Sequence, residues 1–289
     1  MTNKIKVNLF DSLAPEGYKE LSQDELEIVH AQPSFGGATV FTDKDLLSPW
    51  VDNVKSKHKI AWILECRELH PFAYRHILAA EHKFDYIFTF DEELLQRGSK
   101  YVKSLIASSR VSDDDGGVHE KTKMLSLIAS NKKSLRGHKL RHIIAEAIKD
   151  RYDVDLWGQA YRPWGDGTST TPEAQQAGKT EPLKDYRFSI TIMNSKQNNY
   201  FTETLVDTFR HGAIPIFWGC ENVGEYFNPD GIIQFNTGPE LFKILDNLSE
   251  EEYTKRLDAV KENFEISKKY MSMNDTFARN LRKTLGYDD

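Results

Sequence analysis

The chain has 289 residues, 39% of them hydrophobic and 28% charged, with a formal net charge of -6 at pH 7. That length suits one large α/β domain or two of ordinary size, and two are expected here. The acidic balance argues against nucleic-acid binding, and no apolar run reaches the roughly 18 residues of a membrane-spanning helix. The start, Met1 to Val7, lacks the long apolar core of a signal peptide, so the expected location is cytoplasmic. Cys66 and Cys220 each end an apolar run and are expected to be buried free thiols.

In chain order, Ile5 to Phe10 reads as a strand, Ser22 to His30 as a helix with Ser22 and Glu25 at capping-box spacing, and Ala38 to Thr42 as a second strand. Lys59 to Leu64 is a third strand, ending at Glu65-Cys66-Arg67-Glu68. Tyr74 to Glu81 is a helix, Tyr86 to Phe90 a fourth strand, and Asp91 is placed to cap a helix starting at Glu92. Such alternation predicts a parallel sheet. The Asp113-Asp114-Asp115-Gly116-Gly117 run is expected to be a solvated linker, giving domains of residues 1–115 and 116–289, with the last helix a candidate to pack back on the first.

The second half repeats the alternation: strand at Met124 to Ala129, helix at Gly137 to Lys149, strand at Val154 to Trp157, then a Gly/Thr/Pro-rich loop from Gly158 to Thr180 that is a candidate substrate-facing segment. The organising stretch is Asn194 to Gly219, preceded by the apolar strand Phe188 to Ile192. Thr202 is the expected N-cap; Phe201, Leu205, Val206 and Phe209 share a helical face; Gly212 ends the helix before the apolar strand Ala213 to Trp218. A helix opening beside a strand's carboxyl end offers N–H groups and a positive dipole to an anion, most simply a diphosphate. A strand at Ile232 to Phe235 and helices within Pro239 to Lys269 and Asn274 to Leu285 complete the chain. Neither a Gly-x-Gly-x-x-Gly fingerprint nor a Walker loop is present, which disfavours hydride transfer and nucleotide triphosphate hydrolysis. His138 and His142, four apart on a predicted helix with no third ligand, read as surface histidines, and no metal site is expected.

Leu183-Lys184-Asp185-Tyr186-Arg187-Phe188-Ser189-Ile190, Asn194-Ser195, Tyr200-Phe201-Thr202-Glu203, Ala213 to Gly219 and Tyr226-Phe227-Asn228-Pro229 closely resemble the donor-binding half of the α-1,3/4-fucosyltransferases, family ten of the glycosyltransferases. Upstream, Ser130-Asn131 followed by Arg136 is similar to a family segment, as are Trp62 to Glu65 and Phe84 to Glu92 to the acceptor-side segment. The resemblance implies a fold of two Rossmann-like α/β domains facing across a cleft (GT-B type). It further implies an inverting, metal-independent transferase, with GDP-fucose as the usual donor and a glycan hydroxyl as acceptor. GDP-sugar is then a co-substrate, and no cofactor is expected.

Sugar transfer demands stabilisation of the departing diphosphate and a carboxylate to take the acceptor proton. On the resemblance, Glu65 is the base, with Glu68 its neighbouring rival, and Arg136 serves the diphosphate by bidentate contact. Glu203 accepts hydrogen bonds from ribose or sugar hydroxyls, and Asn194 and Tyr200 position the nucleotide-sugar. The chain departs from the family in two places: Thr204 stands where the motif continues with a phosphate-binding lysine, and Met193 where many members have Glu. Lys196 is a candidate compensating cation. Two alternatives stay open: a different nucleotide-sugar donor, and a non-catalytic nucleotide-sugar or glycan-binding relative. A peripheral membrane contact through the C-terminal helix also stays open.

Overall fold

β-Prone apolar segments place Leu9, Val40 and Ile60 side by side on three neighbouring parallel strands. The computed structural model describes residues 4–12, 25–162 and 179–287. The chain divides into one unit of Met1–Ile106 with Ser272–Asp289 and a second of Ala107–Met271. In the first, β1 (Ile5–Phe10), β2 (Leu26–His30), β3 (Ser34–Thr42), β4 (Lys55–Trp62), β5 (Tyr86–Thr89) and β6 (Tyr101–Lys103) form a parallel sheet in the order β2-β1-β3-β4-β5-β6. Helices α1 (Trp50–Asn53), α2 (Pro71–Ala80) and α3 (Glu92–Leu95) connect successive strands from β3 onward. Asp91 caps α3 as expected, its carboxylate accepting the Leu94 N–H at 2.9 Å.

The second unit holds β7 (Lys123–Ile128), β8 (Val154–Trp157), β9 (Tyr186–Ile192), β10 (Ile214–Trp218) and β11 (Ile233–Gln234), all parallel, in the order β11-β10-β9-β7-β8. Helix α4 (Arg136–Ile148) joins β7 to β8, and α5 (Glu203–Arg210) joins β9 to β10. Helices α6 (Gly238–Leu245), α7 (Glu250–Lys255) and α8 (Leu257–Ser267) follow. Leu127, Ile190 and Ile216 are in register across β7, β9 and β10 and are almost wholly buried. Each such side chain contributes about 1.5–3 kcal/mol of burial. From β7 the chain passes first to β8 on one side and then to β9 on the other. The carboxyl ends of β7 and β9 therefore form a topological switch point, where α/β sheets hold ligands.

Helix α9 (Met273–Leu285) belongs with the first unit. Its Phe277 stacks on Trp62 of β4, ring centroids 4.0 Å apart, and meets Phe88 of β5 edge-on at 4.9 Å. Its Asp275 accepts the Glu25 N–H at 3.0 Å.

That contact bears on the helix expected from Ser22 to His30. Leu26 to His30 is instead an edge strand, paired in parallel with β1 from Ile5↔Leu26 to Leu9↔His30. Glu25 is not the third residue of a helix: its N–H is bound to a carboxylate from the far end of the chain. Long-range pairing overrides a local capping pattern, and Ser22 lies outside the described residues. In the run Asp113 to Gly117, which falls in the second unit, the three aspartates are exposed as expected, while Asp113 accepts from Arg210 at 2.8 Å and the Gly117 N–H donates to the Arg210 carbonyl at 2.8 Å. Most of the Gly158 to Thr180 loop, 163–178, lies outside the described residues. Both cysteines are buried and free. Among the described residues no helix is long and apolar enough to cross a membrane.

Candidate functional site at the switch point of the second sheet

Two helices open at the carboxyl ends of β7 and β9. Arg136 is the first residue of α4 and is exposed, with its guanidinium carbon 5.3 Å from the centroid of the Trp218 ring at the end of β10. Gly137 follows, and its N–H donates to the Asn194 carbonyl at 3.0 Å. A Cβ at Gly137 would stand 1.8 Å from the Met193 carbonyl oxygen, so only glycine lets α4 begin this close to the end of β9. His138 is buried, and its Nδ1 accepts the Leu135 N–H at 3.2 Å. The surface histidine expected there is thus a capping side chain, turned inward because the helix start needs an acceptor. His142 is half-buried, with Nε2 3.2 Å from the Lys132 carbonyl.

Asn194 is half-buried, and its side-chain oxygen accepts from Arg141 Nη2 at 2.9 Å. Arg141 Nε also donates to the Ile192 carbonyl at 2.9 Å. Arg141 was not among the residues expected at the site. The available signal was its helical face: it shares the stripe of Ala145 and Ile148, both buried, where a cation needs an acceptor.

The loop from Asn194 to Thr202 is tied to the loop after β10. Lys196 pairs with Glu221 at 2.6 Å. Asn199, in the left-handed region at φ 61°, donates its N–H to Asn222 Oδ1 at 2.8 Å and accepts from Asn222 Nδ2 at 2.9 Å and from the Tyr226 hydroxyl. Tyr200 is buried. Thr202 precedes α5 as expected, but its hydroxyl makes no capping bond to the helix backbone; it lies 4.0 Å from Met193 Sδ.

Glu203 opens α5 and is half-buried. Burial by itself pushes its carboxyl up, but Lys179, then Arg110, with the Thr202 hydroxyl and its own N–H, outweigh this and hold it below the ordinary glutamate range. One turn on, Asp207 is wholly buried and accepts from the Ser109 hydroxyl and the Arg110 N–H, each at 2.8 Å. Its carboxyl is pushed up to about 6, first by burial and also by Glu203, against the pull of Lys179. The hydroxyl of Thr204 lies 3.5 Å from Glu203 Oε1.

Glu65 lies in the first unit, three residues beyond β4. Its N–H donates to Asp43 Oδ1 at 3.3 Å, beside the Leu64 N–H at 3.0 Å, and its carbonyl accepts the Tyr74 hydroxyl at 2.8 Å. Asp43 follows β3 directly, is buried, and sits at φ 31°, an uncommon conformation for a residue with a side chain. Its carboxyl is pushed up to about 6 by burial, opposed by those two N–H groups and reinforced by Asp11 and Asp45. No sequence pattern marks it. Glu68 is exposed, and neighbouring Arg67 is committed to Asp91 through two bonds of 2.6 Å.

The structure thus gathers Arg136 and Asn194, with the unforeseen Arg141, around the starts of α4 and α5. Glu203 begins the second of these, and Lys196 and Tyr200 lie on the loop leading into it. Among the described residues no group of three or more His, Cys, Asp or Glu side chains is arranged to hold a metal ion.

Comparison with known proteins gives the arrangement a family. Residues 118–282 match the family described as glycosyltransferase family 10 (fucosyltransferase) C-term. A stretch of 55 residues is 34% identical to alpha-(1,3)-fucosyltransferase FucT of Helicobacter pylori, spanning 19% of this chain and only 12% of that protein. The fold is similar to that of an alpha1,3-fucosyltransferase crystallised with GDP, at TM-score 0.61 and 16% identity over 100% of this chain and 92% of the other. For the crystal structure with GDP-fucose the values are 0.59 and 17% over 99% and 91%. TarM is similar at 0.56 and 11% over 86% of this chain and 54% of its own. These likenesses identify the fold as the GT-B type, and with a family match across more than half its length the chain belongs to glycosyltransferase family 10, the fucosyltransferase family.

Proposed function

We propose that the protein transfers a sugar, fucose from GDP-fucose in the leading reading, to a glycan hydroxyl, with inversion and without a metal. The observation that carries this is the meeting of two helix starts and Arg136 at the switch point of the second sheet, a place suited to a diphosphate. In this reading the acceptor oxygen attacks the sugar's anomeric carbon as the bond to the β-phosphate oxygen breaks. Glu65 takes the acceptor proton, and the growing negative charge on the leaving GDP falls to Arg136 and the N–H groups of the two helix starts. Glu203, held ionised, accepts from ribose or sugar hydroxyls. Asn194, braced by Arg141, and Tyr200 fix the nucleotide-sugar. Lys196 is the candidate cation in place of a lysine at Thr204, and in this structure it is held by Glu221. The cytoplasm is the proposed site of action.

Incubation with a panel of nucleotide-sugars and glycan acceptors, with and without chelator, tests the reading. The expected result is GDP release with sugar transfer at a rate that chelator leaves unchanged. Transfer from another donor alone would replace fucose. Saturable binding with no transfer would make the chain a binding relative. Full activity in Glu65→Gln would remove Glu65 as the base, and unaltered donor affinity in Arg136→Ala would remove the phosphate role.

A further inference from the structure

The buried flank of α5 carries a charge cluster in which Lys179 and Asp207 have no part in the proposed transfer. Glu203 and Asp207 are one helical turn apart, on the same side of the helix. Lys179 lies with its Nζ 3.7 Å from Asp207 Oδ2, and only 14% of its side chain is exposed. That oxygen has no hydrogen-bond partner, whereas Oδ1 is held by Ser109 and by the Arg110 backbone. The charged groups facing the two acids come from three separate segments: Lys179 shortly before β9, Arg110 before β7, and Arg141 from α4, which is felt by Glu203. Two carboxylates one turn apart, Asp207 buried and Glu203 half-buried, repel one another and stay ionised together only where cations balance them.

We propose that Lys179 is a positioning residue for Glu203, balancing the acid pair so that any proton it takes goes to Asp207 and Glu203 meets the donor as a carboxylate. The inference rests on the reading of Glu203 as an acceptor for donor hydroxyls. A protonated Glu203 donates through one oxygen and loses part of the acceptor capacity those hydroxyls need. The order of protonation agrees with the geometry. Asp207 is the more deeply buried acid and titrates at about 6, while Glu203 is held below its usual range. Without the Lys179 charge the pair takes up its proton at higher pH, and the two acids share it.

The test is GDP affinity by titration calorimetry, expressed at each pH as the ratio of variant to wild type so that ionisation of GDP itself cancels. For Lys179→Met the ratio is expected to fall about twofold between about pH 8.5 and about pH 6, because one proton shared by the two acids leaves Glu203 ionised about half the time. Lys179→Arg, which keeps the charge, restores a flat ratio. Lys179→Met combined with Asp207→Asn also restores it, because the competing acid is gone. A flat ratio for Lys179→Met, or an uncorrected fall in the double variant, overturns the inference while leaving donor binding intact. Absence of GDP binding by the wild type at every pH overturns the proposed function, and this inference with it.

Discussion

Arg141 holds Asn194 by its side-chain oxygen, at 2.9 Å, while the same guanidinium donates to the carbonyl of Ile192. One planar group thereby sets both the last residue of β9 and the first polar side chain beyond it. A lysine carries the charge but not the fork. Arg141→Lys is expected to cost about 1–2 kcal/mol of stability, because the buried Ile192 carbonyl loses part of its pairing. GDP affinity should fall about tenfold, as Asn194 loses its brace. Chemical denaturation and calorimetry measure the two effects separately, and unchanged affinity would show that Asn194 needs no brace.

At the start of α4, Gly137→Ala puts a methyl group where the Met193 carbonyl already is, 1.8 Å away, with backbone rather than a flexible side chain in the way. The helix must retreat. The expected loss is about 3 kcal/mol or more, together with weakened GDP binding. Gly238→Ala, whose added carbon meets nothing within 4 Å, serves as the control and should stay within about 0.5 kcal/mol of wild type.

Asp207 gives a pH signature in stability. Its folded carboxyl, at about 6, binds a proton more readily than the ordinary 3.8, so the folded state holds more protons between those values. Unfolding free energy contributed by this group therefore falls as pH rises through that window and is level above it. Asp207→Asn should gain on wild type by on the order of 2 kcal/mol between about pH 4 and about pH 6. Urea melts across that range measure the difference, and a constant offset would show that Asp207 is not perturbed.

In the first unit, Asp43 gathers the Leu64 and Glu65 N–H groups onto one carboxylate oxygen from a left-handed backbone position. Asn tolerates that position and keeps an acceptor; Ala supplies none. Asp43→Ala is expected to lower kcat about tenfold or more with KM for the donor little changed, as Glu65 loses its anchorage, whereas Asp43→Asn recovers most of the rate. Equal kinetics in the two variants would dissociate Asp43 from Glu65.

The strand, loop, helix and strand from Tyr186 to Trp218 were legible because local periodicity and burial agree. Phe201, Leu205, Val206 and Phe209 are all buried, and Gly212 ends the helix at φ 66°. Arg136 and Glu203 were legible as helix-start residues, and the roles expected of them came from the family resemblance. Much of what could not be read depends on partners distant in sequence. Asp207 is held from 97 and 98 residues away, Asn194 from 53, and Glu25 from 250. The strand at Leu26 to His30 exists because β1 lies beside it, and the inward turn of His138 answers an N–H orphaned by the helix start. Asp43 was hidden for another reason: an unusual backbone angle has no composition.

The Asn199–Asn222 knot and the Lys196–Glu221 bridge mean that the loop leading into α5 spends its conformational freedom during folding. A guest arriving there meets a mould already set and gives up little disorder on the protein's side. Asn222→Ala would then weaken binding through an unfavourable entropy, at nearly constant enthalpy, although the asparagine need never touch what is bound.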